Sequence, residues 1–327
     1  MNCFSIPREI IIKQRGFLGN HDDDCDDHIN ELLVDLPTTE EFNERLQDDD
    51  SSALGRFLCV LVLNNERNIL RINNAKLWEK NGKKNGMNDK IICAADGGKD
   101  LIAFASNGQR QFPDFCIGDF DSTAEDYENG VCENIKQSED QDTTDMQKSI
   151  RFICREYRCR EHSKSSTDVV ILGAMGGRMD HEFANVAAIM EEKTYQDERV
   201  VFYDDDEFIG SDERMKLRPK FVCYDVLKTD CDDDDDDDHC GVQISFPISK
   251  GKTVIKFNQS SQSCGLFPFL GSTKVSTKGF KWDLFEQDLV MNSKISSSNV
   301  VEVDEGIGHA FVHVESDRDI WFTARIK

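Results

Sequence analysis

Between residues 57 and 204, short apolar runs alternate with stretches of helical spacing, and this alternation leaves the chain few architectures. FLCVLVL, residues 57–63, is short, apolar and partly β-branched, as a buried strand is. IICAADGG (91–98) is a second apolar run ending in a turn, and DFCIGDFDS (114–122) a third. Residues 142–157 read as a helix, with Met146, Ile150, Ile153 and Tyr157 on one stripe. DVVILGAMGG (168–177) is a fourth strand with a glycine turn, residues 181–192 a second helix, and RVVFYD (199–204) a fifth strand. Strands that alternate with helices and are apolar throughout predict a parallel α/β sheet covered on both faces.

The pattern changes after about residue 210. VQISFPI, KTVIKF, GFKWDLF, VVEVD, AFVHVE and IWFTARI are short β-rich runs separated by Gly and Ser, which predicts an all-β sandwich or barrel. The expected order is therefore an acidic, partly disordered extension over 1–56, an α/β domain over 57–210, an acidic insertion or linker over 211–247, and a β-sandwich over 248–327. Residues 39–46 are the one helical stretch expected in the extension. HDDDCDD (21–27), QDDDSS (47–52) and seven consecutive aspartates (232–238) read as solvated spacers.

A formal charge of −24 disfavours nucleic acid and anionic membranes as partners and suits a cationic small molecule or a divalent metal. Twelve cysteines include no C-x-x-C pair, and Cys59 and Cys93 lie inside apolar runs. The sequence shows no secretory signal, and its longest apolar run, 57–63, is far short of the ~20 residues that span a bilayer. Reduced thiols in the cytoplasm are the expectation.

In open α/β sheets ligands bind beyond the carboxyl ends of the strands. Four polar clusters fall there: Asp96-Gly97-Gly98, then Asp119 and Asp121 in GDFDS, then Gln141-Asp142-Thr143-Thr144-Asp145 at a helix start, then residues 173–181. Asp119 and Asp121 are two apart, so in an extended segment both face one way, and hard oxygen ligands at that spacing suit Mg²⁺. Lys148 lies one helical turn beyond Asp145 and can reach a phosphate oxygen. The glycines of GAMGGR allow a backbone to approach a phosphate, with Arg178 as a fork of donors. Each cluster has a plainer reading. Asp96 can simply make a turn, Asp142 or Asp145 a helix cap, Arg178 with Asp180 a surface ion pair, and His181 a helix start. No G-x-x-x-x-G-K-[ST] is present, since Phe246 stands where the first glycine before Gly251-Lys252-Thr253 is required, and no G-x-G-x-x-G follows a strand.

ADGG, P-x-F-x-x-GDFDS, DQD-x-TD-x-x-K and GR-x-DH, followed by CGLFP (264–268), GFKWDL (279–284) and SSSN (296–299), resemble in order and spacing the thiamin pyrophosphokinase family. The resemblance covers about 57–327. It implies an α/β nucleotide domain followed by a β-sandwich, a homodimer with sites at its interface, and transfer of a pyrophosphoryl group from ATP to thiamin, giving thiamin diphosphate and AMP. By the same resemblance Asp96, Asp119, Asp121 and Asp142 hold Mg²⁺ and the triphosphate region. Asp145 joins them as a catalytic carboxylate. Gly97, Gly98, Gln141, Thr144, Lys148, Arg178 and Asp180 form the phosphate site. Trp282 stacks on thiamin, and Ser298 and Asn299 bond its pyrimidine. On spacing alone Phe280, Trp282 and Leu284 alternate as a buried strand face, which would make Trp282 a core residue. Lys99-Asp100, Met179 and Ser297 depart from the family pattern.

Two rival readings remain at this point. Asp119-Phe120-Asp121-Ser122-Thr123 has the form of the nucleophile motif of haloacid-dehalogenase-type phosphatases, although that motif ends the first strand of its domain and two strands precede it here. The other is a non-catalytic metal or nucleotide binder.

Overall fold

The computed structural model describes residues 11–15, 31–36, 57–65, 90–98, 113–120, 134–137, 142–158, 167–198, 220–227, 241–258, 260–304 and 306–326. The expected helix at 39–46, the strand at 199–204, the three acidic runs, Asp121 and Gln141 lie outside the described residues. The described part of 57–227 belongs to one compact unit, and that of 11–36 and 241–326 to a second.

The first unit carries a parallel sheet. Its strands are β3 (Phe57–Val62), β4 (Lys90–Ala95), β5 (Phe115–Gly118), β6 (Asn134–Gln137), β7 (Thr167–Leu172) and β8 (Lys220–Leu227), in the order β8-β7-β3-β4-β5-β6. Every pairing is parallel, as the uninterrupted apolar runs require. Residues 59–62 of β3, at the centre, are wholly buried. Helix α1 (Asp145–Arg158) buries Met146, Ile150 and Ile153, three members of the expected stripe. Helix α2 (Met179–Glu198) runs past both ends of the stretch expected from spacing.

Two of these strands were not expected. β6 is a four-residue edge strand, NIKQ, too polar and short to show a period. β8 lies within 211–247, the stretch read as a linker, and pairs with β7 from Asp168↔Lys220 to Leu172↔Tyr224. Its apolar side chains Phe221, Val222 and Cys223 are buried against the sheet, so this part of the stretch is sheet core.

The second unit is the expected all-β one. Before it in the chain come β1 (Ile11–Arg15) and β2 (Glu31–Leu36). They join β10 (Gly251–Phe257), β15 (Ala310–Ser316), β12 (Thr273–Lys278) and β13 (Gln287–Leu289) in one sheet. β14 (Ser296–Asn299), β11 (Ser261–Phe267), β16 (Ile320–Ile326) and β9 (Gly241–Ile248) follow one another in the facing layer. Fully buried Phe257, from the first layer, meets Phe322 of the second edge-on at 6.5 Å, and Phe246 packs on Phe322 at 5.1 Å. Aromatic pairs at these distances supply the sandwich core. The extension read as acidic loops thus contributes two strands to this unit, β2 pairing parallel with β10 from Leu32↔Thr253 to Leu36↔Phe257.

Candidate active site

Two strand ends and a helix start of the first unit bring acids together. Asp96 follows β4 in a left-handed conformation (φ 38°) and donates its N–H to the Ile117 carbonyl of β5 at 2.9 Å. Gly98 must be glycine, since an added Cβ would stand 2.3 Å from the Val62 carbonyl oxygen at the end of β3. Asp114 fixes β5 against β4: Ile92 N–H donates to its Oδ2 at 2.9 Å. Asp119 then emerges directly after β5.

Asp145 opens α1. Thr144 is the cap, its Oγ1 accepting from Gln147 N–H at 3.2 Å, while the Gln147 side chain accepts from Thr144 N–H at 2.9 Å. This reciprocal capping box places the helix start at the sheet edge. Carboxylate oxygens of Asp96, Asp119 and Asp145 lie within 4.8 Å of one another. Gly118 permits this approach, because a Cβ there would stand 3.1 Å from both Asp96 Cβ and Asp145 Oδ1.

Lys148, with a side chain 6% exposed, reaches Asp145 Oδ1 at 3.1 Å and Asp119 Oδ2 at 3.7 Å. Burial pushes the Asp145 carboxyl up from its usual range; Lys148 opposes that rise, and Asp119 and Asp96 add to it. Among the described residues, three converging carboxylates with one lysine leave the charge deficit a hard divalent cation would fill.

Asp142, expected among the metal ligands, is exposed ahead of α1 and outside this group of three, whereas Asp145 is inside it. Of the phosphate-site residues, Thr144 acts as the cap, and Gly97 and Gly98 pack on Asn64 and Val62. Arg178 is exposed and paired with Asp180 through Nη2–Oδ2 at 2.5 Å, which holds the Asp180 carboxyl below its ordinary range. His181 is exposed at the start of α2.

The turn after β7 is held by residues that no motif pointed to. Asn65 donates to the carbonyls of Gly173 and Met175 at 3.1 and 3.0 Å, and Asn185 to that of Ala174 at 2.9 Å. Glu182 accepts from the N–H groups of Gly176 and Gly177 at 2.8 and 3.0 Å. Asp225, fully buried near the end of β8, accepts from Met175 N–H at 3.2 Å, and burial pushes its carboxyl to about 8. FVCYD, an apolar run ending in Asp, has the same form as IICAAD and FCIGD, and that was the available signal.

In the second unit Trp282 is 57% exposed while Phe280 is buried, so Trp282 is not a core residue. Asn299, almost wholly buried, donates to the Trp282 carbonyl at 2.8 Å and accepts from Trp282 N–H at 3.2 Å and Val300 N–H at 3.0 Å. Its amide is committed to the backbone beneath the indole. Lys281 Nζ lies 5.3 Å from the Trp282 ring centre. Ser298 is exposed with φ 60°.

The family model described as the thiamin pyrophosphokinase catalytic domain matches residues 83–202, and that for its vitamin B1 binding domain matches 252–321. The chain belongs to the thiamin pyrophosphokinase family. Among curated relatives it is 28% identical over 294 residues to thiamine pyrophosphokinase 1 of Arabidopsis thaliana, covering 85% of this chain and 90% of that one. It is also 28% identical over 255 residues to thiamine pyrophosphokinase 2 of Oryza sativa subsp. japonica, covering 73% of this chain and 79% of the other. Thiamin pyrophosphokinase from Candida albicans shares the fold with a TM-score of 0.59 at 20% identity, over 83% of this chain and 90% of that one. The yeast thiamin pyrophosphokinase structure does so at 0.57 and 17% identity, over 100% of this chain and 96% of that one. The catalytic-domain match encloses the three carboxylates and Lys148, and the vitamin-binding match encloses Trp282 and Asn299. Asp225 lies in neither.

Proposed function

We propose that this thiamin pyrophosphokinase family member moves the pyrophosphoryl group of ATP to the hydroxyl of thiamin, giving thiamin diphosphate and AMP, with the roles set out below. Membership of the family carries the enzyme class, a transferase of thiamin diphosphate biosynthesis with ATP as co-substrate. The convergence of Asp96, Asp119 and Asp145 around Lys148 at the carboxyl edge of a parallel sheet is the observation that carries the assignment of the reacting end.

Asp96, Asp119 and Asp145 would hold Mg²⁺, with Asp121 and Asp142 nearby in the chain. The donor set fits: hard carboxylate oxygens, few enough that a cation keeps waters or substrate oxygens in its shell. When bound, Mg²⁺ supplies neutralisation of charge on phosphate oxygens. Lys148 and Arg178 meet the phosphates as cations, with Gln141 and Thr144 beside them. A carboxylate next to the reacting hydroxyl takes its proton. Trp282 presents an exposed indole face, which suits the thiazolium-bearing thiamin, and exposed Ser298, next in the chain to the Asn299 that holds the Trp282 backbone, bonds the pyrimidine of thiamin.

A homodimer with sites at the interface is part of the proposal. It is supported by apolar side chains left exposed on the second unit, Phe285 at 85% and Trp282 at 57%. A cytoplasmic setting is supported by six buried cysteines that are free thiols among the described residues. No helix among the described residues is long and apolar enough to cross a membrane.

The test is an assay with ATP, thiamin and Mg²⁺ that resolves AMP from ADP. AMP appearing one for one with thiamin diphosphate is expected. ADP with thiamin monophosphate, or phosphate release without thiamin, would refute the assignment.

A further inference from the structure

The glycine turn 173–177 has the composition of a phosphate cradle, yet much of its backbone is already hydrogen-bonded to side chains. The Met175 amide donates to Oδ1 of the buried Asp225 at 3.2 Å. The last two amides of the turn, Gly176 and Gly177, bond one oxygen of Glu182. The carbonyls of Gly173, Ala174 and Met175 are taken by Asn65 and Asn185. Successive N–H groups in a turn form a concavity that binds anions, and positive φ at Gly173 (81°) and Gly176 (78°) shapes this one. Here the acceptors come from the chain itself, the side chains of Asp225 on strand β8 and Glu182 on helix α2.

We infer that Asp225 and Glu182 are positioning residues for the ATP half of the site. They occupy the Met175, Gly176 and Gly177 amides of the turn, so that the turn offers the nucleotide the Arg178 guanidinium and not a backbone cradle. A nucleotide phosphate could reach the Gly176 and Gly177 amides only by displacing Glu182, and Asp225 is sealed in the core. With three of its amides and three of its carbonyls held by side chains, the turn is a stiff mount, and Arg178 follows it directly in the chain. This rests on the reading above that Arg178 meets the ATP phosphates.

The sign of an effect decides the matter. Glu182→Ala removes the acceptor from two amides at the start of α2. Loosening the mount should raise the ATP KM about tenfold, a loss typical of a misplaced binding group, and leave the thiamin KM within about twofold. Glu182→Gln keeps a carbonyl acceptor and should fall between Ala and the parent. Asp225→Asn, which keeps one acceptor oxygen, should likewise raise the ATP KM alone. In an Arg178→Ala background the Glu182→Ala loss should vanish, as for residues acting through one group. A lower ATP KM in Glu182→Ala would mean that a cradle had been freed and would overturn the inference. An unchanged ATP KM, or ATP and thiamin KM rising together with a lowered Tm, would also overturn it. Arg178→Ala by itself tells two failures apart. If its ATP KM is unchanged, the Arg178 assignment falls. If its ATP KM rises while that of Glu182→Ala does not, only the inference falls.

Discussion

Lys148 enters the group of three carboxylates from one turn along α1, and its position governs what acid does to the site. Asp145 is raised chiefly by burial and lowered by Lys148. An ionised Asp145 is needed to hold a cation, so activity should fall as pH drops through a value above the ordinary aspartate range. Lys148→Met removes the opposing charge and should move that acid limb to higher pH in a kcat/KM profile; a limb that stays put would show that Asp145 does not govern it. Asp119→Asn should cut kcat at least a hundredfold with Tm unchanged, the scale on which lost electrostatic stabilisation shows. In the second unit, Trp282→Ala should raise the thiamin KM about tenfold without unfolding, since the indole is more than half exposed. Asn299→Ala should raise it too, but add little to Trp282→Ala, because its bonds go to that residue's backbone. Additive thiamin KM effects would mean that Asn299 touches thiamin itself. Motif spacing pointed to Asp96, Asp119 and Lys148, and the family resemblance alone pointed to Trp282, which spacing assigned to the core. Spacing could not rank Asp142 against Asp145, because both suit a helix start, and only the capping box at Thr144 decides which faces the sheet edge.

At the scale of elements, apolar period made β3, β4, β5 and β7 legible, and amphipathic period made α1 so. β6 and β8 were not: one is polar and short, the other sits in an acidic surrounding with no helix signal before it. The cost of missing β8 was missing Asp225. Its carboxyl is ordinary when unfolded and raised to about 8 in the fold, so the folded state holds a proton the unfolded one has lost. Its contribution to stability is therefore full below the ordinary aspartate range and is lost as pH rises towards about 8. Asp225→Asn should flatten the fall of Tm over that window, and a parallel fall in variant and parent would show that another group causes it. Gly118→Ala tests the packing of the site: its Cβ would press on Asp96 and Asp145, lowering activity far more than Tm.

For the whole molecule, the order of an α/β unit before a β-sandwich could be read from where helical period stops. The membership of residues 11–36 could not, because the β2 partner is β10, more than two hundred residues on, and a six-residue run such as ELLVDL has no local sign of so distant a pairing. Removing the seven aspartates 232–238 should leave turnover within about twofold, as expected of a solvated spacer. The β2–β10 pair has a further consequence, in time. During synthesis β2 is made early, yet the edge it pairs with emerges only after the entire nucleotide-binding portion has been translated. Closing so long a loop adds little entropy cost, so the delay is one of order and not of energy. A chain started beyond residue 36 should therefore arrive with its vitamin-binding half missing an edge, and its damage should register in thiamin while the ATP side, encoded between, is left whole.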